Sequence, residues 1–588
     1  MRTQRRERIL LGVLIAIGAG VFCTGITWGL PSRSVDRFLF GDRTPWSGER
    51  IQQLAGDRPD DPARGADVDV DPLTGRDRII PLNATDAQRA RIIRRYRLYT
   101  YQPDEMITMM SLASMSPGEG DLDPKLYQYG GLWVYPVGAL LKLGSIVGVI
   151  HLTSDKAYYL DHPEAFGRFY VAARLYVVAW ALLGVWAVFA IVRRLTGGSL
   201  WAMAAGTLCY VVMPVVVNMA HEAKPHLPAA VLMLWAVLAA MRYVESGARR
   251  WWIATSILCG AAFGMVLSAW PVFVVIPVMM LMRKRSWRDA LDETVAGGAI
   301  GGAVYLLTNP YIAINVFVNR EVLRSNFGNS LAMYEITRLG EGLVNAAVFV
   351  GEGASWLLAL TGACGALILG GRWLAGRDSV LEEAPEKRRR QPAHGWLLAA
   401  PGLLILVQFV LPAAGKPGEY GRFAVFPDVA LGITAVTACS LIRSWHTVRR
   451  VSLIVLVAAV FPFGGGYLVG FVRATGSGDA RTVTADVLDD LSREGKRSLA
   501  VWAEPAPYIM PPANLFEWNV LLLPRDYTVN LDDVPADVVV GLHEHFADLP
   551  RPPGGFRTWR WSGAGTTSIS WANPRLEILF EAEAVDAN

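Results

Sequence analysis

The chain has 588 residues, 52% of them hydrophobic and 20 of them Trp, with a positive mean hydropathy, which is too apolar for an ordinary soluble enzyme and reads as a polytopic α-helical membrane protein. A net charge of +4, with no basic stripe interleaved with aromatics, argues against a nucleic-acid partner. Cys23, Cys209, Cys259, Cys364 and Cys439 all fall inside apolar runs without metal-ligand spacing, so they read as packing residues rather than a disulfide framework or a zinc site.

Met1 to Arg8 is strongly basic and precedes an apolar run from Ile9 to Leu30. The run is long for a signal-peptide core and lacks a small-residue cleavage site, so residues 1–30 are expected to form a retained first span with a cytoplasmic N-terminus. Residues 31–167 follow as a large extracytoplasmic loop, rich in Asp, Arg, Gly and Pro up to about Thr100. Its later part, YQPDEMITMMSLASMSPGEGDLDPKLYQYGGLWVYPVGALL from Tyr101 to Leu141, sets Asp104 and Glu105 before an amphipathic run. One reading of that Pro-Asp-Glu triplet is a helix start, with Asp104 capping the first turn and Glu105 facing the helix dipole. The other is a carboxylate pair for acid chemistry at a membrane surface. Gly131 to Ile150 carries Lys142 in its middle and Pro136 in its first half, which suits a helix lying at the outer interface with Trp133 and Tyr135 at headgroup level.

Residues 168–472 form the multi-span domain. Apolar runs fall at 168–192, 200–219, 228–243, 253–270, 272–282, 293–308, 343–370, 396–413, 423–442 and 451–472, about eleven spans with the first. Strict alternation then places Arg193 and Arg194, Arg242 with Arg249 and Arg250, RKRSWR at 283–288, EKRRR at 386–390 and Arg443 to Arg450 in the cytoplasm, as the positive-inside rule requires. The same alternation holds only if 131–150 does not cross. Residues 473–588 are expected to form an extracytoplasmic soluble α/β domain. Asp479 to Glu494 has helical spacing, SLAVWA (498–503), NVLLLP (519–524) and DVVVGL (537–542) read as buried strands, and RTWRWS (557–562) with TSISWA (567–572) resembles a terminal hairpin. No glycine-rich phosphate loop follows these strands, so a positioning or acceptor-contacting role fits better than a second active site.

Four cations break the positive-inside pattern: Lys125, Lys224, Lys416 and Arg422 would sit on the outer face. Three lie in the short loops HEAKPHLP (221–228) and GKPGEYGRF (415–423), and cations in tight outer loops suit a phosphate at headgroup level. Pairing with lipid headgroups or with acids of the first loop is the alternative. Arg422 is the strongest of the set, because a bidentate guanidinium matches phosphate. His221 and His226 are five apart around Lys224 and Pro225, a spacing that favours hydrogen bonding or capping over zinc.

Several stretches, in order, carry a family resemblance: QPDEMITMMSLASM with GDLDPKLYQYGGLWVYPVGALL, AARL (172–175), RRLTG (193–197), HEAKPHLPAAV, TNPYI (308–312) and EYGRFAVFPDVAL. Together they resemble the GT-C glycosyltransferases, integral-membrane enzymes that use polyprenyl-phosphate sugars, and within them the branch of protein O-mannosyltransferases, lipid A aminoarabinose transferases and related bacterial sugar transferases. The resemblance covers roughly residues 9–475. Two positions depart from it: this chain has Tyr129-Gly130-Gly131 where relatives have Tyr-Pro-Ser or Lys-Pro-Pro, and His226 where relatives often have Asp.

The resemblance implies a GT-C fold and transfer of a hexosyl or pentosyl group from a lipid-linked donor to an acceptor hydroxyl outside, with inversion. Asp104, matching the first acid of the family motif, would be the general base, and Glu105 would orient it or an acceptor, or help hold a divalent cation. No metal or other cofactor is predicted. Arg422, with Lys224 and Lys416, would stabilise the departing phosphate, and Tyr129, His221, His226, Tyr311 and Tyr420 are the candidate substrate contacts. The expected partners are a polyprenyl-phosphate-linked sugar and a lipid, glycan or protein acceptor, in a bacterial inner membrane with the C-terminal domain outside. Two other classes fit parts of the pattern: a transporter or flippase of lipid-linked sugars, and a non-catalytic cell-envelope assembly subunit.

Overall fold

A computed structural model describes residues 2–56, 79–102, 104–283, 286–331, 334, 336–374, 394–415, 421–441, 446–502, 506–524, 534–543, 546, 556–560 and 572–581. Residues 386–390 and Arg285, expected in cytoplasmic loops, lie outside this set. The chain divides into two compact units, one of Met1–Thr24, Met115–Val137 and Arg174–Leu468, the other of Gly25–Ser114, Gly138–Ala173 and Val469–Asn588.

The apolar runs fold as helices, and the polytopic helical architecture is present. Among the described residues five helices are long and apolar enough to cross a membrane: Pro163–Leu195, His226–Ser246, Gly395–Ala414, Gly421–Ser440 and His446–Arg473. Two bent pairs raise the number to as many as seven. Other runs counted among the expected eleven are broken by local geometry. The run at 200–219 is two helices, Leu200–Val211 and Pro214–Ala220, bent by 54°, because Pro214 cannot donate to the preceding turn. The run at 343–370 turns by 108° between Leu339–Ala354 and Trp356–Gly370, where Ser355 takes φ 74°. The runs at 253–270 and 272–282 become Arg249–Met265, a 3-10 stretch Leu267–Val274 and Val275–Met282. Helices Arg249–Met265 and Trp287–Thr308 meet through bare backbone: a Cβ on Gly260 would lie 2.2 Å from the carbonyl oxygen of Gly301, the small-residue contact by which membrane helices approach closely.

The second unit is built on a six-stranded sheet: β1 (Ile80–Pro81), β2 (Ser498–Trp502), β3 (Asn519–Leu523), β4 (Val538–Leu542), β5 (Phe556–Arg560) and β6 (Leu576–Glu581), in the order β1-β3-β2-β4-β6-β5. β2 is parallel to both neighbours, and the outer pairs are antiparallel. Central parallel strands must be covered on both faces, and alternation does this: Leu499, Val501, Val520, Leu522 and Val540 pack with Ile92, Ile93, Leu488 and Leu491, while Ala500, Trp502, Leu521 and Val539 form a second cluster. The helices on the first face are Asp86–Leu98, opened by a Thr85–Gln88 capping box, and Ala480–Arg493, capped by Asp479. β5 pairs with Leu576–Glu581, whose Leu576, Ile578 and Leu579 are buried. Of the expected hairpin partner at 567–572, all but Ala572 lies outside the described residues.

The sheet is shared between distant segments. β1 comes from the first loop, and Asn83 donates to the carbonyls of Leu515 and Trp518 and accepts from the amide of Val520 at 2.7–2.9 Å. Arg97, fully buried, holds Asp36 through Nε (3.2 Å) and Nη2 (2.9 Å) and spends its remaining donor on the carbonyls of Trp46 and Leu160. Burial raises the Asp36 pKa despite Arg97 and lowers that of Arg97 despite Asp36.

Candidate functional site

In the first unit, the 3-10 turn Gly421–Ala424 leads into helix Val425–Ser440 and carries Arg422. Arg422 lines a cleft whose walls are Ala229, Ala230 and Met233 from helix His226–Ser246, Val266 and Ala269, Ile405, Phe409 and Pro412, and Phe423, Val425 and Phe426; His226, Ser268 and Gln408 add polar atoms. Apolar walls with one guanidinium fit an amphiphile whose head is an anion. The Arg422 guanidinium lies over the Phe423 ring at 5.5 Å, and Phe423 meets His226 edge to face at 5.2 Å. On its other side His226 meets Tyr129 edge to face at 5.9 Å. Three of the sequence candidates, Tyr129, His226 and Arg422, thus fall in one chain of ring contacts along the cleft.

The other candidates are placed differently. Lys224 is buried, and its ammonium lies 3.3 Å from the equally buried Glu222, which also accepts from Asn218. Its charge is largely matched inside the protein. His221 is fully buried, with its ring nitrogens 2.7 and 2.8 Å from the carbonyls of Val217 and Thr24. Burial pushes its pKa down to about 4, against the two carbonyls, which favour the imidazolium. Its contacts are hydrogen bonds to the preceding helix and to the residue just after the first helix, not a cap on the next span, and a substrate contact is not what the ring nitrogens make. The Tyr311 hydroxyl accepts the amide of Leu122, so its polar end serves the 121–130 loop. Lys416 and Tyr420 lie outside the described residues.

That loop carries residues the sequence reasoning did not single out. Asp123 is buried; its Oδ1 accepts the Tyr127 hydroxyl (2.8 Å) and the Lys125 amide (3.0 Å), and its Oδ2 accepts from Asn315 (2.7 Å). Burial, then the hydrogen bond to Asp123, raises the Tyr127 pKa, so the phenol stays protonated as donor. Asn326 accepts from the Tyr127 amide and donates to the Lys125 carbonyl. The only sequence signal was the Asp-Pro-Lys turn chemistry at 123–125; the asparagines come from nearly 200 residues away.

In the second unit, Asp104 stands at the N-cap position of helix Glu105–Ala113, but its backbone is already helical and its side chain makes no capping bond. The simple cap reading of the Pro-Asp-Glu triplet therefore does not describe this carboxylate. Its amide donates to the Gln102 side chain at 2.7 Å. Glu105 is fully buried and accepts the Thr100 hydroxyl at 2.6 Å, so the neighbouring acids have distinct surroundings: Asp104 partly exposed, Glu105 enclosed. Among the described residues no group of three or more His, Cys, Asp or Glu is arranged to hold a metal ion.

Residues 164–310 match the family model described as dolichyl-phosphate-mannose-protein mannosyltransferase. No curated protein matches the chain. Among solved structures, ArnT from Cupriavidus metallidurans bound to undecaprenyl phosphate is similar at 16% identity, covering 77% of this chain and 88% of that chain with a TM-score of 0.41. The archaeal oligosaccharyltransferase AglB from Archaeoglobus fulgidus, in complex with an inhibitory peptide and a dolichol-phosphate, is similar at 12% identity over 71% of this chain and 62% of that chain, with a TM-score of 0.36. The segment matched by the family model runs from the long helix Pro163–Leu195 to the Asn309-Pro310 pair and includes His221, Lys224 and His226. Through that segment the chain is similar to the dolichyl-phosphate-mannose-protein mannosyltransferases.

Proposed function

We propose that the chain transfers a hexosyl or pentosyl group from a polyprenyl-phosphate sugar to an acceptor hydroxyl on the extracytoplasmic side of the membrane, with inversion. The observation that carries this reading is the cleft lined by Arg422: a lipid chain fits apolar walls, and a guanidinium fits the phosphate that joins lipid to sugar. The leaving group is a phosphate that departs as an anion, so it needs charge stabilisation more than a proton. The acceptor hydroxyl needs its proton removed as the C–O bond forms, and Asp104 is the proposed base. The donor class also agrees with the polyprenyl-phosphate sugar named in the family description.

The test is the donor KM of a purified enzyme. Arg422→Ala should raise it by tenfold or more and Arg422→Lys by less, because an ammonium replaces only part of a bidentate contact. Equal, near-normal values in both variants would remove Arg422 from the donor site. One observation favours a second reading as a transporter of lipid-linked sugars. Asp428, in helix Val425–Ser440, is fully buried and neither carboxylate oxygen has a hydrogen-bond partner among the described residues, and acids inside membrane helices often mark transport pathways. Glycosylated product formed in detergent, where no compartments exist, decides for the transferase.

A further inference from the structure

The helix that starts at Gly131 has no side chain of its own to cap it. A first-turn amide normally receives a Ser, Thr, Asp or Asn oxygen from the residue just before the helix, but that residue is Gly130. A Cβ on Gly130 would lie 1.9 Å from the carbonyl oxygen of Gly264, and one on Gly131 would lie 2.0 Å from that of Thr308. Backbones from three parts of the chain meet here too closely for side chains. The cap is supplied from elsewhere: Asn309 Oδ1 accepts the Gly131 amide at 2.8 Å, while its Nδ2 donates to the Tyr305 carbonyl and the Thr308 hydroxyl, both at 3.0 Å.

What precedes the capped residue backs the wall of the cleft. The Gly130 amide donates to the Met265 carbonyl and the Leu267 amide to the Gln128 carbonyl, so 128–130 runs as a short bridge beside 265–267 with Tyr129 opposite Val266. Val266 lines the cleft, and the Tyr129 ring stands against His226, which in turn stands against Phe423 beside Arg422. The same junction accounts for the glycines found where the family resemblance leads one to expect proline and serine.

We infer that Asn309 is a positioning residue for the donor: by capping the Gly131 helix from another segment, it fixes the 128–130 bridge and so the Tyr129–His226–Phe423 wall along which Arg422 is presented. The inference rests on the reading of the cleft as the donor site. Asn309 touches no donor group itself; it acts through the loop. Asparagine suits the post because its Oδ1 supplies the capping acceptor while its Nδ2 steadies the side chain against Tyr305 and Thr308.

The experiment is steady-state kinetics on the full chain with a polyprenyl-phosphate sugar as varied substrate. Asn309→Ala should raise the donor KM about tenfold while kcat stays within about threefold, and Asn309→Asp, which keeps the capping oxygen, should recover much of the loss. An unchanged KM in Asn309→Ala, or a loss confined to kcat, would overturn the inference. If Asn309→Ala does not fold, Asn309→Asp and Asn309→Ser carry the test, with serine, too short to span the gap, expected to show the raised KM and aspartate not; the reverse order overturns it. Arg422→Ala is measured alongside. If it raises donor KM while the Asn309 variants do not, only this inference fails; if it leaves donor KM unchanged, the donor-site reading itself fails.

Discussion

The ammonium of Lys224 lies 3.3 Å from the carboxylate of Glu222, and both side chains are almost wholly buried. Removing one member of such a pair leaves an uncompensated buried charge, at a cost of about 3–5 kcal/mol. Lys224→Met should therefore lower the thermal midpoint in detergent by several degrees, and the double variant Lys224→Met/Glu222→Gln should regain most of it. In that double variant the donor KM should rise less than in Arg422→Ala, because the lysine charge is already matched.

Asp104→Asn keeps the size of the side chain and removes its basicity. Turnover should fall by about 10²-fold or more, the scale of a lost general base, with donor binding retained when it is read by titration of the lipid-linked sugar. Glu105→Gln keeps an acceptor for the Thr100 hydroxyl and should be milder. Near-normal turnover of Asp104→Asn at saturating donor and acceptor returns Asp104 to a purely structural place at the head of its helix.

His221 supplies a pH signature. Its folded pKa of about 4 lies below the unfolded value of 6.5, so the unfolded chain binds this proton first. Stability from neutral His221 is complete above pH 6.5 and is lost as pH falls toward 4, amounting to about 3 kcal/mol at 1.36 kcal/mol per unit. Thermal midpoints of the wild type should fall across that window, and those of His221→Gln should fall less steeply. Parallel curves would assign the acid sensitivity to other groups.

Charge alternation predicts that Lys125 and Arg450 face opposite sides of the membrane. A single cysteine at 125 should react with an impermeant maleimide added outside, and one at 450 only after permeabilisation. Labelling of both from one side would invert the assignment of the spans between them.

The apolar runs announced the helices because burial of nonpolar surface is a property of composition, and composition is written locally. Ser355 at φ 74° was not legible: a serine carries no preference for that backbone, and the packing around it decides the bend. The strands β2, β3 and β4 were readable as short apolar runs, whereas β6 was not, because its LEILFE pattern suits either a strand or a helix turn. For the site, Arg422 and His226 stood out as charge and polarity in an outer loop. The Asn309–Gly131 cap did not, since it joins residues 178 positions apart that only the folded chain brings together.

Asn83 and Leu515 are hydrogen-bonded across 432 positions, and that separation sets a timetable. The ribosome delivers about 5–20 residues per second, so the first loop is made about 20–90 s before the strands it must join. Through that interval Ile92 and Ile93 have no sheet to cover them. The loop leaves the ribosome unfinished, and its apolar face stays uncovered until β2 to β4 are made. Folding of this loop therefore waits on strands β2 to β4, and a nonsense mutation ahead of them would leave Ile92 and Ile93 uncovered.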